Sequence, residues 1–135
     1  MVPLVIVDAA NVVGSRPDGW WRDRIGANAR LRDALAVTAR RGLAGLAPPL
    51  EIVLVVEGRA RGLASIAEVR VVAAAGSADD AIVELVRARA ADRPCVVVTA
   101  DRELGDRVRR AGALVRGPRS IPRPPSGQDS PEWTR

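Results

Sequence analysis

The 135-residue sequence contains no histidine and no lysine, so all 21 of its basic residues are arginines. These two absences exclude a Ser/His/Asp or Cys/His nucleophile system, a phosphate-binding P-loop lysine and any histidine-containing zinc site. The polar side chains left for chemistry are those of Asp, Glu, Asn, Ser, Thr and Arg. Carboxylate and amide oxygens bind hard cations, and arginine binds anions. The composition therefore favours a site built from oxygen ligands and arginines.

Cysteine and long apolar runs are also scarce. Cys95 is the only cysteine and lies within the apolar run CVVVTA, which indicates a buried thiol and excludes an intrachain disulfide. No apolar run approaches the ~20 residues that span a membrane, and the opening MVPLVIVD lacks the features of a signal peptide. We therefore expect a cytoplasmic protein with no membrane partner. Its net charge of +5 is compatible with nucleic-acid binding.

Apolar strands alternate with helical segments along the chain. Val-rich runs that are typical of strands buried on both faces occupy residues 2–8, 51–57, 69–73 and 95–99, and a short fifth strand is predicted at 113–116. Helices are predicted at 22–42, 78–91 and 102–111. Such alternation implies parallel βαβ units. We predict an α/β fold, a three-layer α/β/α sandwich with a mainly parallel sheet of four to five strands.

The composition changes near residue 117. Residues 1–116 form the predicted domain, whereas residues 117–135, GPRSIPRPPSGQDSPEWTR, are rich in Pro, Ser and Gly and show no periodicity. A segment of this kind supplies no core, and we expect a flexible C-terminal tail. The sequence leaves open whether the tail, through Trp133, contacts a protein partner and whether the chain forms a homodimer.

Acidic residues follow several of the predicted strands. Asp8 ends the first strand, Glu57 ends the second, Asp101 follows the fourth, and Asp79 and Asp80 open the helix after the third. In a parallel sheet these positions meet at the carboxyl edge. Clustered carboxylates repel one another, and a bound Mg²⁺ or Mn²⁺ relieves that repulsion. Glu57 also has an alternative interpretation as a strand-end charge in solvent.

Helix capping is the competing explanation for most of these acids. Ser77 is a natural N-cap, and Asp79 and Asp80 then fall in the first turn, where the helix dipole stabilises negative charge. Asp101 is similarly placed to cap the helix that follows it. Capping does not explain Asp8, because we expect no helix directly after it. The shared edge therefore favours a metal site over capping alone.

Arginines and tryptophans occur in the loops after the first two strands. The arginines suit a polyanionic substrate, because guanidinium groups bind phosphates. The tryptophan rings offer faces on which a base stacks, although one of the pair is expected to pack in the core and an arginine-rich edge is also typical of a simple soluble surface. The candidate substrate-binding residues are Arg16, Arg22, Arg24, Arg59, Arg61 and Trp20.

Three segments, in order at strand ends, carry a resemblance to a known family. VDAANVVGS, GSADDAIVELV and VVVTADREL resemble the motifs of the PIN-like nuclease superfamily, specifically the NYN domain with its YacP-like bacterial branch. The adjoining PDGWW resembles a tryptophan-containing segment of the same branch. The resemblance extends over about residues 2–117 and implies a PIN-like fold with strand order 3-2-1-4-5.

The resemblance also implies a metal-dependent endoribonuclease and a set of site residues. Asn11, which has an alternative role in an Asx turn, would support the site. A fourth acid is expected two to four residues after the third, a spacing that Glu103 meets and Asp106 does not. The implied catalytic residues are Asp8, Asn11, Asp79, Asp80 and Asp101. The implied ligands of Mg²⁺ or Mn²⁺ are Asp8, either Asp79 or Asp80 (Asp80 being preferred), Asp101 and Glu103.

The function that follows is hydrolysis of phosphodiester bonds in single-stranded RNA. A bound cation activates water near neutral pH, so the absence of histidine is no obstacle. Two alternatives remain open at this point. A nucleoside-triphosphate pyrophosphohydrolase would use nearly the same chemistry but needs an enclosed base pocket, and a non-catalytic RNA- or partner-binding module would keep the fold without productive metal geometry.

Overall fold

The computed structural model describes residues 1–16 and 19–123. Within these ranges, the strands are Leu4–Asp8 (β1), Glu51–Val56 (β2), Val69–Ala73 (β3), Cys95–Val98 (β4) and Leu114–Arg116 (β5). The α-helices are Ala9–Gly14 (α1), Arg24–Arg41 (α2), Ala78–Arg89 (α3) and Arg102–Arg110 (α4). Short 3-10 turns occupy Trp20–Arg22, Gly58–Ala60 and Pro118–Ser120.

The sheet has the order β3-β2-β1-β4-β5, and all of its strand pairs are parallel. The predicted fold class and strand order are confirmed. Leu4 at the start of β1 pairs with Glu51 in β2 and with Cys95 in β4, so the three central strands begin nearly level. Their carboxyl ends, where the candidate residues lie, are therefore close to one another.

The central strand is buried on both of its faces. Val5 and Val7 pack in one cluster with residues of α1 and α2, whereas Leu4 and Ile6 pack in the other with residues of α3 and α4. This alternation follows from the two-residue period of a strand, and it explains why the strand sequences are apolar throughout. The helices on the two faces complete the three predicted layers.

The helix directly after β1 was not predicted. α1 begins at Ala9, immediately after Asp8, so the expectation that no helix directly follows Asp8 was wrong. The sequence AANVVG is only six residues long, too short to show a helical period, and Val12 and Val13 in it resemble strand residues. The Asp8 side chain nevertheless makes no capping hydrogen bond to α1, so capping does not account for it.

The boundaries of α2 have clear local causes. The Asp23 side chain accepts a hydrogen bond from the Gly26 amide and caps the helix, which therefore begins at Arg24 rather than at the predicted residue 22. Gly42 ends the helix with φ of +88°, a value that favours glycine. None of the helices in the described ranges is both long and apolar enough to cross a membrane.

The first residues beyond the predicted domain boundary pack against the sheet. Ile121 is 4% exposed and belongs to the core cluster that contains α1 and α2. The prediction that this segment supplies no core residue was wrong for Ile121. Pro124–Arg135, including Trp133, lie outside the described residues, as do Pro17 and Asp18 of the PDGWW segment. The predicted boundary at residue 117 and the flexible tail remain predictions.

We predict that Ile121→Ala destabilises the protein by ~2–4 kcal/mol, because it leaves a cavity in a packed core. Ile25→Ala is the matched control, since Ile25 is 48% exposed and its truncation should change stability by less than ~0.5 kcal/mol. Urea unfolding followed by circular dichroism measures both. Equal stabilities of the two variants would show that the segment around Ile121 does not contribute to the core.

Candidate functional site

The candidate residues lie at the carboxyl edge of the sheet. Asp8 is the last residue of β1, Glu57 follows β2, and Asp101 lies three residues beyond the end of β4 and directly precedes α4. Asp79 lies in the first turn of α3. In open α/β sheets this edge is where ligands bind.

A threonine hydroxyl joins two of the acidic residues. Thr99 Oγ1 donates a hydrogen bond to Asp8 Oδ2 at 3.0 Å and accepts one from the Asp101 backbone amide at 3.1 Å. Asp101 Oδ1 in turn accepts from the Leu104 amide at 3.1 Å and caps α4. The capping interpretation of Asp101 is therefore correct for one carboxylate oxygen. Together these bonds fix the ends of β1 and β4 relative to each other.

Asn11 connects α1 to the same loop. Its Oδ1 accepts a hydrogen bond from the Ala100 amide at 2.8 Å. The side chain therefore holds the segment between β4 and α4 against the first helix. This contact is consistent with the supporting role expected for Asn11 and differs from the alternative of a local Asx turn, because its partner is 89 residues away.

The start of α3 is capped by two other residues. Ser77 Oγ accepts from the Asp79 amide at 3.1 Å, as the sequence predicted. Glu57 Oε2 accepts from the Ala78 amide at 2.9 Å, which brings the end of β2 to the start of α3. Because the amides of the first turn already have these partners, the carboxylates of Asp79 and Asp80 are not needed as caps.

The carboxylates at this edge influence one another. Burial raises the pKa of Asp8, which is only 5% exposed; the Thr99 hydroxyl and a weaker interaction with the Asn11 backbone lower that pKa, and the negative charges of Asp79 and Glu57 raise it. The pKa of Asp79 is also raised, first by burial and then by Asp101, while Arg107 lowers it. We call Asp8, Glu57, Asp79 and Asp101 the acidic cluster.

The structure distinguishes Asp79 from Asp80. Asp79 interacts with the other members of the acidic cluster, whereas Asp80 Oδ1 accepts from Arg107 of α4 at 2.9 Å and its side chain is 70% exposed. The preference for Asp80 over Asp79 as a metal ligand therefore has no support from the contacts. Glu103 is exposed in the first turn of α4, and Asp106 pairs with Arg109.

The acidic cluster suits a hard cation in its chemistry. All of its ligand atoms are carboxylate oxygens, which Mg²⁺ prefers. Burial and then mutual repulsion raise the pKa values of Asp8 and Asp79, and a cation would relieve both the burial of negative charge and the repulsion. Within residues 1–16 and 19–123, no three acidic side chains already lie in metal-binding geometry.

The predicted substrate-binding arginines occupy different surroundings. Arg24 lies over the Trp20 ring at 5.4 Å, and Arg22 lies over the exposed Trp21 ring at 5.8 Å. Arg16 lines a separate cavity together with Arg119 and Ile121. The remaining two, Arg59 and Arg61, are exposed in and beside the turn after β2.

A cavity of about 270 Å³ adjoins the acidic cluster through Glu57. Its other polar or aromatic lining side chains are Trp20, Arg24 and Asn28, and the start of α1 completes one wall. Trp20 also packs against the core, which confirms that one tryptophan of the pair anchors the fold. The cavity is large enough for a single nucleobase and smaller than most drug-binding pockets.

Asn28, at the cavity, has an unsatisfied oxygen. Its Nδ2 donates to the Arg24 carbonyl at 2.8 Å, but the buried Oδ1 has no hydrogen-bond partner among the described residues. A buried acceptor without a donor costs ~1–3 kcal/mol, so such a group calls for a specific explanation.

Comparisons with known proteins agree with the predicted fold. No family model and no curated protein matches the chain. Two crystal structures of Rae1 (YacP) from Bacillus subtilis do match. One, of a W164L mutant, has 20% identity and a TM-score of 0.65 over 90% of this chain and 72% of that chain. The other has 19% identity and a TM-score of 0.68 over 87% of this chain and 70% of that chain.

The chain has the fold of Rae1 (YacP). The likeness agrees with the predicted α/β fold and its strand order. At this level of identity it shows the fold alone.

Three residues of the site were not among those predicted from the sequence. Thr99 could have been recognised from the sequence, because a hydroxyl between a buried strand and an aspartate is well placed to bind the strand-end carboxylate. Asn28 could also have been recognised, since it lies on the same face of the helix as Leu31 and Leu35 and is therefore a polar residue on a buried face. Glu57 was recognised at the strand end but was not included among the site residues.

We predict that Asp8→Asn raises the thermal stability of the protein at neutral pH by a few degrees. The raised pKa of Asp8 means that the folded state holds a proton more readily than the unfolded state, so wild-type stability falls as pH rises above the ordinary pKa of 3.8. The asparagine is uncharged at every pH. The difference between variant and wild type should therefore disappear in acid, as thermal unfolding over a pH series measures.

Asp92→Asn is the control for this series, because Asp92 is exposed and remote from the cluster in the loop before β4. We further expect Mn²⁺ to raise the unfolding temperature of wild type and of the control but not that of Asp8→Asn, since a ligand that binds the folded state stabilises it. A wild type that is as stable as Asp8→Asn throughout the pH range would contradict the conclusion that the buried Asp8 carboxylate destabilises the folded protein.

We also predict that Thr99→Val destabilises the protein by ~1–3 kcal/mol, whereas Thr99→Ser has a smaller effect. Valine fills the same space but removes the donor to Asp8 and the acceptor for the Asp101 amide. Serine keeps the hydroxyl. Urea unfolding separates the two variants, and equal stabilities would mean that the hydroxyl does not hold the strand ends together.

Proposed function

We propose that the protein is a metal-dependent ribonuclease that hydrolyses phosphodiester bonds of single-stranded RNA. The observation that carries the proposal is the acidic cluster: Asp8, Asp79 and Asp101 come from three separate elements and lie at one edge of a nuclease-like fold. Structural packing alone gives no reason to bury Asp8 beside other negative charges. The likeness to Rae1 (YacP) supports the fold on which the proposal rests.

The proposed cofactor is Mg²⁺ or Mn²⁺, held by Asp8, Asp79 and Asp101. When bound, the ion lowers the pKa of a water molecule and polarises the scissile phosphate. Thr99 orients Asp8, since its hydroxyl donates a hydrogen bond to Oδ2. Asn11 holds the loop that carries Asp101. Asp101 uses Oδ1 as a helix cap, so Oδ2 is its proposed metal ligand.

The proposed substrate path runs from the acidic cluster to Trp20 and Arg24. The Arg24 guanidinium is positioned to bind a phosphate, and the Trp20 ring borders the cavity where a base would stack. Arg22, Arg59 and Arg61 would add charge along the same edge. Bases must be unpaired to enter such a cavity, which favours single-stranded RNA.

One observation favours a second candidate function. A nucleoside-triphosphate pyrophosphohydrolase needs a base pocket next to its metal site, and the cavity that Glu57 shares with Trp20 and Asn28 fits that description. The third possibility, a non-catalytic binding module, is favoured by the exposed position of Glu103, the acid that the family resemblance places among the metal ligands.

We predict that Asp79→Asn lowers Mn²⁺-dependent RNA cleavage by at least ~100-fold, whereas Asp80→Asn lowers it by less than ~5-fold. The charge of Asp79 interacts with those of Asp101 and Glu57, whereas Asp80 pairs with Arg107 at the surface. Asp101→Asn should lose as much activity as Asp79→Asn while keeping the α4 cap, because asparagine is an equally good N-cap. Cleavage of fluorescently labelled RNA, resolved on denaturing gels, measures all three.

The same preparations are tested with single-stranded DNA, with nucleoside triphosphates and with EDTA. Hydrolysis of triphosphates without cleavage of RNA would favour the second candidate. A wild type that binds no Mn²⁺ and cleaves none of these substrates would favour the third candidate, a non-catalytic binding module. Equal losses in Asp79→Asn and Asp80→Asn would contradict the assignment of Asp79 rather than the function itself.

A further inference from the structure

We infer that the groove between α3 and α4 binds a backbone phosphate of the RNA strand beyond the scissile one, through Arg87, Arg107 and Arg110. We call these three residues the arginine groove. The inference rests on the proposed function for its ligand, RNA, but not for the cleavage reaction. It adds phosphate-binding residues on the face of the sheet that α3 and α4 cover, whereas Arg24 lies on α2 at the other face.

The arginine groove is a cavity lined almost entirely by guanidinium groups. α3 and α4 pack on the same face of the sheet, and a cavity of about 190 Å³ lies between them. Arg87 comes from α3, Arg107 and Arg110 come from α4, and Ala111 is the only other lining residue in the described part of the chain. Clefts lined by charge of one sign focus the electric field, so the groove attracts anions.

Only one of the three guanidinium groups has an acidic partner among the described residues. Arg107 Nη2 donates to Asp80 Oδ1 at 2.9 Å. Arg87 and Arg110 are exposed and form no ion pair within residues 1–16 and 19–123. The helix dipole explains a basic residue in the last turn of each helix, but not why three of them line one cavity, because like charges repel. A phosphate group relieves that repulsion and accepts several guanidinium hydrogen bonds at once.

Arg107 connects the arginine groove to the acidic cluster. Its hydrogen bond to Asp80 places its guanidinium group beside the first turn of α3. Burial and Asp101 raise the pKa of Asp79, and the positive charge of Arg107 lowers it. Arg87 lies about 10 Å further along α3 than Asp80, since each helical residue rises ~1.5 Å. A strand with its scissile phosphate at the acidic cluster therefore brings a nearby phosphate to the groove.

The lining favours a nucleic acid over a protein partner. Protein interfaces are built around buried aromatic and aliphatic anchors, and besides its guanidinium groups the groove offers only Ala111. The carboxyl edge with the acidic cluster also lies between the groove and Arg24, which belong to opposite faces of the sheet. A single strand that crosses this edge would be held by arginines on both sides of the cleavage position.

The test compares Arg87→Gln/Arg110→Gln, the groove variant, with the matched control Arg70→Gln/Arg89→Gln. Each variant loses two positive charges from exposed arginines. Arg89 lies in the last turn of α3, as Arg87 does, and Arg70 lies on the edge strand β3, but neither lines the groove. Binding of labelled A, C and U dodecaribonucleotides is measured by fluorescence anisotropy over a salt series. EDTA is present to prevent metal-dependent cleavage.

We expect the groove variant to bind all three RNAs about 10-fold more weakly than wild type, by the same factor for each, because backbone contacts carry no sequence information. The slope of log K against log salt concentration should flatten by about 1.4, since each lost phosphate contact removes about 0.7 for a single strand. The control should lose less than about threefold in affinity.

A third variant, Arg87→Lys/Arg110→Lys, separates phosphate binding from a structural role. It keeps both charges and should therefore keep most of the salt dependence of wild type. All variants should unfold within about 2 °C of wild type, because exposed substitutions change stability little. A groove variant that unfolds at a much lower temperature and binds RNA as weakly as the lysine variant would indicate a structural role and contradict the inference.

Three further results would overturn the inference. A wild type that binds none of the RNAs excludes the ligand, unchanged binding by the groove variant leaves the groove to a partner other than RNA, and equal losses in the control assign the effect to net charge. Cleavage with Mn²⁺ is assayed separately. RNA cleavage by wild type together with unchanged binding by the groove variant leaves the proposed function standing, whereas weakened binding without any cleavage supports the arginine groove alone.

Discussion

The level alignment of β1 with its two neighbours is the constraint on which the site depends. Leu4 pairs with both Glu51 and Cys95, so strands of similar length end at similar heights. The Thr99 hydroxyl then bridges the ends of β1 and β4, and Glu57 connects the end of β2 to α3. Because a parallel register fixes the heights of all residues in a strand, moving one strand would separate the acidic cluster.

Most of the fold could be predicted because its signals are local and repeated. The Val-rich strands are buried on both faces and have polar residues only at their ends, which identifies them as central strands of a parallel sheet. α1 could not be recognised, since a helix of less than two turns has no measurable period. Ile121 was missed for a related reason, because one buried residue in a Pro-rich segment produces no pattern.

The choice between Asp79 and Asp80 shows what sequence alone cannot provide. Both residues lie in the first turn of α3, and they differ only by one step of about 100° around the helix axis. Which of the two faces the acidic cluster depends on how α3 packs against α4, where Arg107 binds Asp80. That packing is set by residues far apart in the sequence, such as Ile82 and Leu104, so helix position alone does not decide it.

The energetic character of the site follows from the burial of Asp8. An uncharged residue at the end of β1 would fit the apolar surroundings better, yet a carboxylate lies there beside Asp79 and Glu57, and its pKa is raised as a result. Such an arrangement costs stability in the absence of a counterion, and a bound cation would recover it. The buried Asn28 oxygen also costs stability, since it too lacks a partner within the described part of the fold.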